Sequence, residues 1–324
     1  MNLSSAKAAF IEEVERPFTP EDVVSLGADA KAAGAEVPHD LRVRIAARLA
    51  HAAFLAPDRI GETWDAITLG WEGTAVDAAP VPTFDRKPEP AGNGLWGAFW
   101  DIAQDSVDGK LDALLITQRT AALGAYVSPS CLPRSAEAAL TYPGIAGLEN
   151  SALPDRVTLE DLAACPADSL GREFHDLIVD NKFDLEVLDR DVIGLSQLPA
   201  PLAYLNTRIL QAHDLWHIVA GYETTALHEV ALSAFQMAQF GHVYSAQFLA
   251  VTAGISAIGP GPGWPILMTS CTTAWRHGRE TPPMMLIDWE SEWANSAEML
   301  RKKYNIKAYD RPYVADLVER LRAA

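Results

Sequence analysis

Three histidines and three acids stand together in HDLWHIVAGYETTALHE, residues 213–229. His213 and His217 are four apart, which on an α-helix is about 40° round and one turn along. Two imidazoles so placed lie side by side, a common way for a helix to offer nitrogen ligands to a divalent ion. Asp214, about 100° round from His213, flanks His217. It can be a third ligand or an acceptor for an imidazole N–H. Glu229 is different: twelve residues past His217, it would be roughly 18 Å away on one unbroken helix. A metal site therefore requires the chain to turn back. Gly221 is a stop signal and Thr224 or Thr225 an N-cap for a second helix. An antiparallel hairpin would bring Glu229 opposite His217, with His228 as a spare ligand. A lone His–His pair at this spacing is often no more than polar surface. The hairpin signals and the uncharged segment that follows weigh against that reading here.

Two histidines and a carboxylate on one face of an ion form the facial triad of non-haem iron oxygenases, with positions left for dioxygen and substrate. The same ligands suit zinc and water activation, with Asp214 where such hydrolases keep a general base. Asp is one methylene shorter than Glu and reaches a bound water poorly, so hydrolysis ranks lower. A third possibility is a metal that only ties two helices together.

The rest of the chain must position these residues. Leu41, Ile45, Leu49 and Ala52 or Ala53 make one apolar stripe at helical spacing, the pattern of a helix packed in a core. DAAPVPTFDRKPEPAGNG, residues 77–94, is too rich in proline and glycine for a helix or central strand. LWGAFWDIAQ and KLDALLITQRTAALGAYV read as helices, residues 128–168 as loops with short helical pieces, and residues from 169 onward as long helices. Few stretches alternate with period two. The expected fold is all-α, a helical bundle carrying the metal site on the hairpin. Its expected parts are an N-terminal helical segment (1–76), a linker (77–94) and a metal-binding helical domain (95–324).

Residues 230–275 contain no Asp, Glu, Lys or Arg, in a chain that is 21% charged. GPGPGWP (259–265) interrupts the run, so it must be at least two helices joined by a bend. The run is either buried core, a wall around an apolar ligand, or a face lying on a membrane. Gln236, Gln239, His242 and Gln247 argue against a spanning hairpin.

The formal charge of −17 argues against nucleic acid as a partner. Cys131, Cys165 and Cys271 are scattered, with no CxxC, which fits a reducing compartment. No phosphate-binding loop, GxSxG or GxGxxG is present. The N-terminal MNLSSAKAAFIEEVERPF lacks the apolar run of a signal peptide.

HDLWH, eleven residues and Glu229 resemble the HDxxH…E hallmark of the coenzyme Q biosynthesis protein 4 family. SLGREFHDLIVDN (169–181), TTALHEVAL and WRHGRETPPMMLIDWESEWANSAEMLRKKYNI (275–306) are similar to further blocks of that family, in the same order. The resemblance covers roughly residues 160–310, and LAHAAFLAPDRIGETWDAI (49–67) is loosely similar to its opening helices. It departs at His228, where glycine is usual, and at Ser233 and Gln236, where a charged pair is usual.

The resemblance implies a helical protein that is cytoplasmic and peripheral to the inner membrane. It implies a divalent ion, iron or zinc, held by His213, Asp214, His217 and Glu229. It also implies a role in replacing the carboxyl group of a polyprenylated benzoate by hydroxyl, that is, metal-dependent oxidative decarboxylation with Asp214 as the candidate catalytic carboxylate. The alternatives are a non-catalytic prenyl-lipid-binding scaffold and a zinc-dependent hydrolase. The expected partners are a polyprenylated quinone precursor or other isoprenoid lipid, other quinone biosynthesis proteins and a second copy of the chain. Because the uncharged run starts beside Glu229, it is expected to line the site of the isoprenoid chain, with Phe248 and Ile255, seven apart on one helical face, against the lipid. Arg172 and Glu173 are expected to form solvated salt bridges with neighbouring residues, the alternative being a polar head group, and His175 is expected to be exposed. Arg276, His277 and Arg279 could meet a phosphate or carboxylate. Trp289 and Trp293 belong in the core.

Overall fold

The Leu41–Ile45–Leu49 stripe does lie on a helix, and it is buried along its whole length. In the computed structural model, which describes residues 3–186 and 188–323, it is the third of a series: α1 (Leu3–Val14), α2 (Pro20–Ala32), α3 (His39–Phe54) and α4 (Ile60–Glu72). The first two residues of the expected N-terminal segment and the chain's last residue lie outside that description. There follow α5 (Leu95–Val107), α6 (Ala113–Ala122), α7 (Cys131–Ala139), α8 (Leu159–Ala163) and α9 (Leu170–Asn181). Then come α10 (Leu202–Ala220), α11 (Ala226–Phe240), α12 (Val243–Ile258), α13 (Gly263–Glu280), α14 (Ala297–Tyr304) and α15 (Leu317–Ala323). No strand occurs among the described residues, so the fold class is all-α.

Residues 77–94 form no helix, but they are not a free tether. Glu89 N donates to Leu55 O at 2.7 Å. Arg134 of α7 donates to Lys87 O and Glu89, and also to the fully buried Asp58 at 2.5 Å. Buried charges persist where partners surround them, and here those bonds fasten the proline-rich stretch to α3 and α7.

The uncharged run becomes the end of α11, all of α12 and most of α13, with turns at Gly241 and at 259–262. Its dryness has a plain cause: the N-terminal helices lie on it. α12 packs against α3 and α5, and α13 against α4. Small residues are buried on both helices, Ala46, Ala50 and Ala53 on α3 and Ala246, Ala250 and Ala253 on α12. A Cβ on Gly254 would stand 2.9 Å from the Phe99 ring of α5. Arg42 caps α12 by donating to Ser256 O and Gly259 O. Trp275 Nε1 donates to Asp65 at 2.8 Å, and Trp71 Nε1 to Thr269 at 3.1 Å.

The cations that end the run are taken up in the same interface. Arg276 binds Glu72 and Arg279 binds Asp65, so the carboxylates they meet are the chain's own. The run is therefore chiefly core. Phe248, Thr252 and Ile255 form a half-buried stripe along α12.

α11 and α13 pack along their lengths. They come close at Gly278, where a Cβ would stand 2.6 Å from Phe235 O and 2.7 Å from Ala238 Cβ.

His51 is buried in the N-terminal half, its Nδ1 donating to Val14 O at 2.7 Å. Burial pushes its pKa down to about 4. The sign follows: the unfolded imidazole takes a proton near 6.5 while the folded one stays neutral, so stability is present above 6.5 and lost as pH falls towards 4. Between pH 7 and 5 this group alone costs about 2 kcal/mol. His51→Gln, which keeps a donor for Val14 O, is expected to flatten that part of the stability–pH curve in urea unfolding. An unchanged slope would assign the pH dependence to other groups.

Candidate metal centre

Leu215 and Trp216 are buried on α10, and His213 and His217 lie one turn apart on the side that meets α11. α10 ends at Gly221, whose φ of 81° is left-handed and suits glycine. Thr225 then stands at the N-cap of α11 in extended conformation. Its hydroxyl does not cap the helix; it donates to Ala315 O, and Ala226 N is capped by Glu319 of α15. Side chains pair in reverse order along the two helices: His217 with Glu229, His213 with Gln236, and Asn206 with His242 just past α11. The helices are thus antiparallel, held apart by the width of these side chains and of Trp216 against Phe235.

Four ligand atoms from three residues, two nitrogens and two oxygens, meet in that gap. His213 Nε2 and His217 Nε2 each lie 3.2 Å from a different oxygen of Glu229, and the two nitrogens are 3.3 Å apart. Nitrogen and oxygen ligands at about 2.0–2.2 Å from one ion stand roughly 3.0–3.5 Å from each other, so the triangle fits a single divalent ion. The outer nitrogens are also engaged. His217 Nδ1 donates to Tyr222 O at 3.2 Å, and His213 Nδ1 meets the Gln236 amide at 2.5 Å. A bonded Nδ1 is what directs Nε2 towards a cation. Asp214 lies beside the pair, with its nearest oxygen within 4.8 Å of both histidine ligand atoms.

The electrostatics favour a cation. Burial would raise the pKa of Glu229, but the two imidazoles outweigh it and hold the carboxyl well below the usual range. Burial opposes charge on His213, yet Glu229 and Asp214 raise its pKa above the ordinary value. Burial raises Asp214, with the two histidines opposing.

His228 does not join the group. It is fully buried, its Nδ1 accepts from Glu223 N, and its ring sits among Tyr222, Tyr309 and Tyr313. Arg172 forms no salt bridge; it donates to Ala163 O and Cys165 O. His175 is half-buried rather than exposed, on Asp176. Trp289 is in the core, and Trp293 stacks on Phe174. His277 bonds the Tyr222 hydroxyl and Lys307 O.

A cleft of about 630 Å³ opens beside His217, between α9 and the α10–α11 turn. Glu173, Leu177, Ile218, Tyr222 and Thr225 line it, and burial raises the Glu173 pKa. Glu173 is a residue that sequence reading did not place at the site. Gln236 could have been found: it is seven residues past Glu229, two turns along the same helical face.

The family model described as "Coenzyme Q (ubiquinone) biosynthesis protein Coq4" matches residues 151–310. Residues 151–310 are a Coq4-family region. It contains α8 to α14 and every residue of the triangle. The mitochondrial COQ4 homolog of Aedes aegypti is 26% identical over 157 residues, 47% of this chain and 53% of that protein. The mitochondrial COQ4 homolog 1 of Culex quinquefasciatus is 28% identical over 164 residues, 47% and 52% respectively. The chain spans about half the length of these curated relatives. A crystal structure of a candidate ubiquinone biosynthesis protein from Nostoc punctiforme aligns with a TM-score of 0.50 at 21% identity, over 67% of this chain and 100% of that one. That likeness shows a shared fold over about two thirds of the chain. No helix among the described residues is long and apolar enough to cross a membrane.

Proposed function

We propose that this chain acts in ubiquinone biosynthesis as a metal-dependent enzyme that replaces the carboxyl group of a polyprenylated benzoate ring by hydroxyl. The observation that carries the reading is the triangle of His213, His217 and Glu229 beside an open cleft, inside a Coq4 region. His213, His217 and Glu229 would hold a divalent ion, with Asp214 as a further ligand or as the carboxylate that exchanges a proton with the substrate. When bound, the ion supplies Lewis acidity and, if it is iron, one-electron chemistry with dioxygen. The chain's own residues do the rest. Leu177, Ile218 and Tyr222 give a ring an apolar bed, and Glu173, whose pKa burial raises, can hold a proton at the cleft wall.

The half-buried stripe Phe248–Thr252–Ile255 is proposed to take the isoprenoid tail, since each buried CH₂ contributes roughly 0.8 kcal/mol. The association is proposed to be peripheral to the membrane that makes the quinone.

Elemental analysis of protein purified without a metal-affinity tag tests the chemistry. Iron supports the oxidative reaction, zinc turns the reading towards hydrolysis or a structural ion, and no divalent metal removes it. Native mass spectrometry tests the tail. Phe248→Asp protein is expected to stay folded and metal-loaded but to lose prenyl-lipid uptake. Normal uptake by folded Phe248→Asp and Ile255→Asp proteins would take the lipid away from this stripe.

A further inference from the structure

We propose that Gln236, Ser245, His242 and Asn206 form a one-way hydrogen-bond chain that sets the tautomer and aim of His213. The four are positioning residues for the metal site, and the inference rests on reading His213 as a ligand through Nε2.

The links are continuous. Gln236 Nε2 is 2.5 Å from His213 Nδ1 and Gln236 Oε1 is 3.4 Å from Ser245 Oγ, an orientation that a half-turn of the amide exchanges. Ser245 Oγ is 2.8 Å from His242 Nδ1, and His242 Nε2 is 3.1 Å from Asn206 Oδ1. Asn206 Nδ2 donates to Leu202 O at 2.8 Å. The chain thus leaves α10 at His213, crosses α11 and the start of α12, and returns to α10 two turns upstream. Gln236, His242 and Ser245 are all buried.

Both ends force the same direction. A ring nitrogen that binds a cation carries no proton, so a metal on His213 Nε2 leaves the hydrogen on Nδ1. That N–H needs an acceptor, so Gln236 turns its amide oxygen to it. The amide NH₂ then faces Ser245 and donates to Oγ, which sends the serine hydrogen on to His242 Nδ1. His242 must therefore hold its own hydrogen on Nε2, where Asn206 Oδ1 accepts it. At the far end, Leu202 O only accepts, so it fixes the Asn206 NH₂ towards itself and the Asn206 oxygen towards His242. No link is asked to donate twice with one hydrogen or to accept without a lone pair. His242 has to be neutral for this, and burial pushes its pKa down to about 3. Side chains serving only to fill this space would need no such agreement between one end and the other.

The test uses the full-length protein, stripped of metal and titrated with zinc, which leaves histidine nitrogen signals readable by NMR. Wild-type zinc-loaded protein is expected to show His242 with its proton on Nε2. Gln236→Leu is expected to weaken zinc binding roughly 10–100-fold, the usual loss when the outer partner of a ligand histidine is removed. Gln236→Glu is expected to bind zinc at least as well as wild type, because the carboxylate accepts from Nδ1–H. It has no hydrogen to pass on, however, so the Ser245 hydroxyl is left between two acceptors, the carboxylate and His242 Nδ1, while Asn206 keeps the His242 proton on Nε2. A shift of the His242 Nδ1 signal as that hydrogen bond weakens, in a residue that touches neither the metal nor position 236, is a signature that plain packing does not give. Ser245→Ala, a smaller change, is expected to weaken zinc severalfold while the fold is kept.

Folded Gln236→Leu that binds zinc as wild type does overturns the proposal. So does a His242 proton on Nδ1 in the loaded wild type, or a His242 Nδ1 signal that is unmoved in Gln236→Glu. Wild-type protein that takes up no zinc overturns the underlying reading of His213 as a ligand, which distinguishes that failure from failure of the chain alone.

Discussion

Glu229→Ala protein is expected to retain on the order of a tenth or less of the wild-type divalent metal, as little as His217→Ala, since each removes one of a few inner ligands. The argument is geometric. Glu229 supplies one oxygen to each histidine nitrogen at 3.2 Å, so it closes the triangle that two residues on one helix leave open. Metal content per chain, measured after identical dialysis of the three proteins with circular dichroism to confirm folding, checks it. If Glu229→Ala keeps a full complement while both histidine variants lose theirs, the carboxylate that matters is Asp214 and the returning helix is not part of the site.

The second large effect concerns the other half of the molecule. Residues 151–324 expressed alone are expected to be insoluble or to lack a cooperative unfolding transition. Without α3, α4 and α5, the faces of α12 and α13 that they cover open to water, among them Trp275, now packed on Trp64, and the α12 surface at Gly254 that meets Phe99. At about 1.5–3 kcal/mol for each large apolar side chain, exposing several of them consumes a typical stability of about 5–15 kcal/mol. The caps and bonds from Arg42, Asp65 and Glu72 go as well. Solubility, dye binding and urea unfolding of the fragment decide the matter. A soluble, monomeric fragment with a sharp transition would show that the N-terminal half is dispensable to the fold.

The sequence made the local signals plain and the long-range ones obscure. Gly221 has to end α10, and the four-residue spacing of His213 and His217 has to put both rings on one face, so the hairpin was legible from residues near each other in the chain. What covers the uncharged run was not. Nothing local to α12 says that it meets α3 some two hundred residues earlier, and a dry helix reads the same whether a lipid or another helix lies on it. Thr225 illustrates the same limit. It sits at the N-cap, yet its hydroxyl is drawn to Ala315 O, a partner that only the folded chain supplies. Asn206 and His242 are alike: they are thirty-six apart in sequence and 3.1 Å apart in space.

Gly278 carries a consequence beyond its own contact. It lets α13 rest against Phe235 O and Ala238 Cβ of the helix that carries Glu229, so it fixes the seat of one arm of a pair of callipers whose tips are Glu229 and the two histidines. Relatives with the same ligand residues but a bulkier side chain at this position would hold the jaws at a different opening. The size of ion a member of this group prefers would then be written in a residue that never meets the ion.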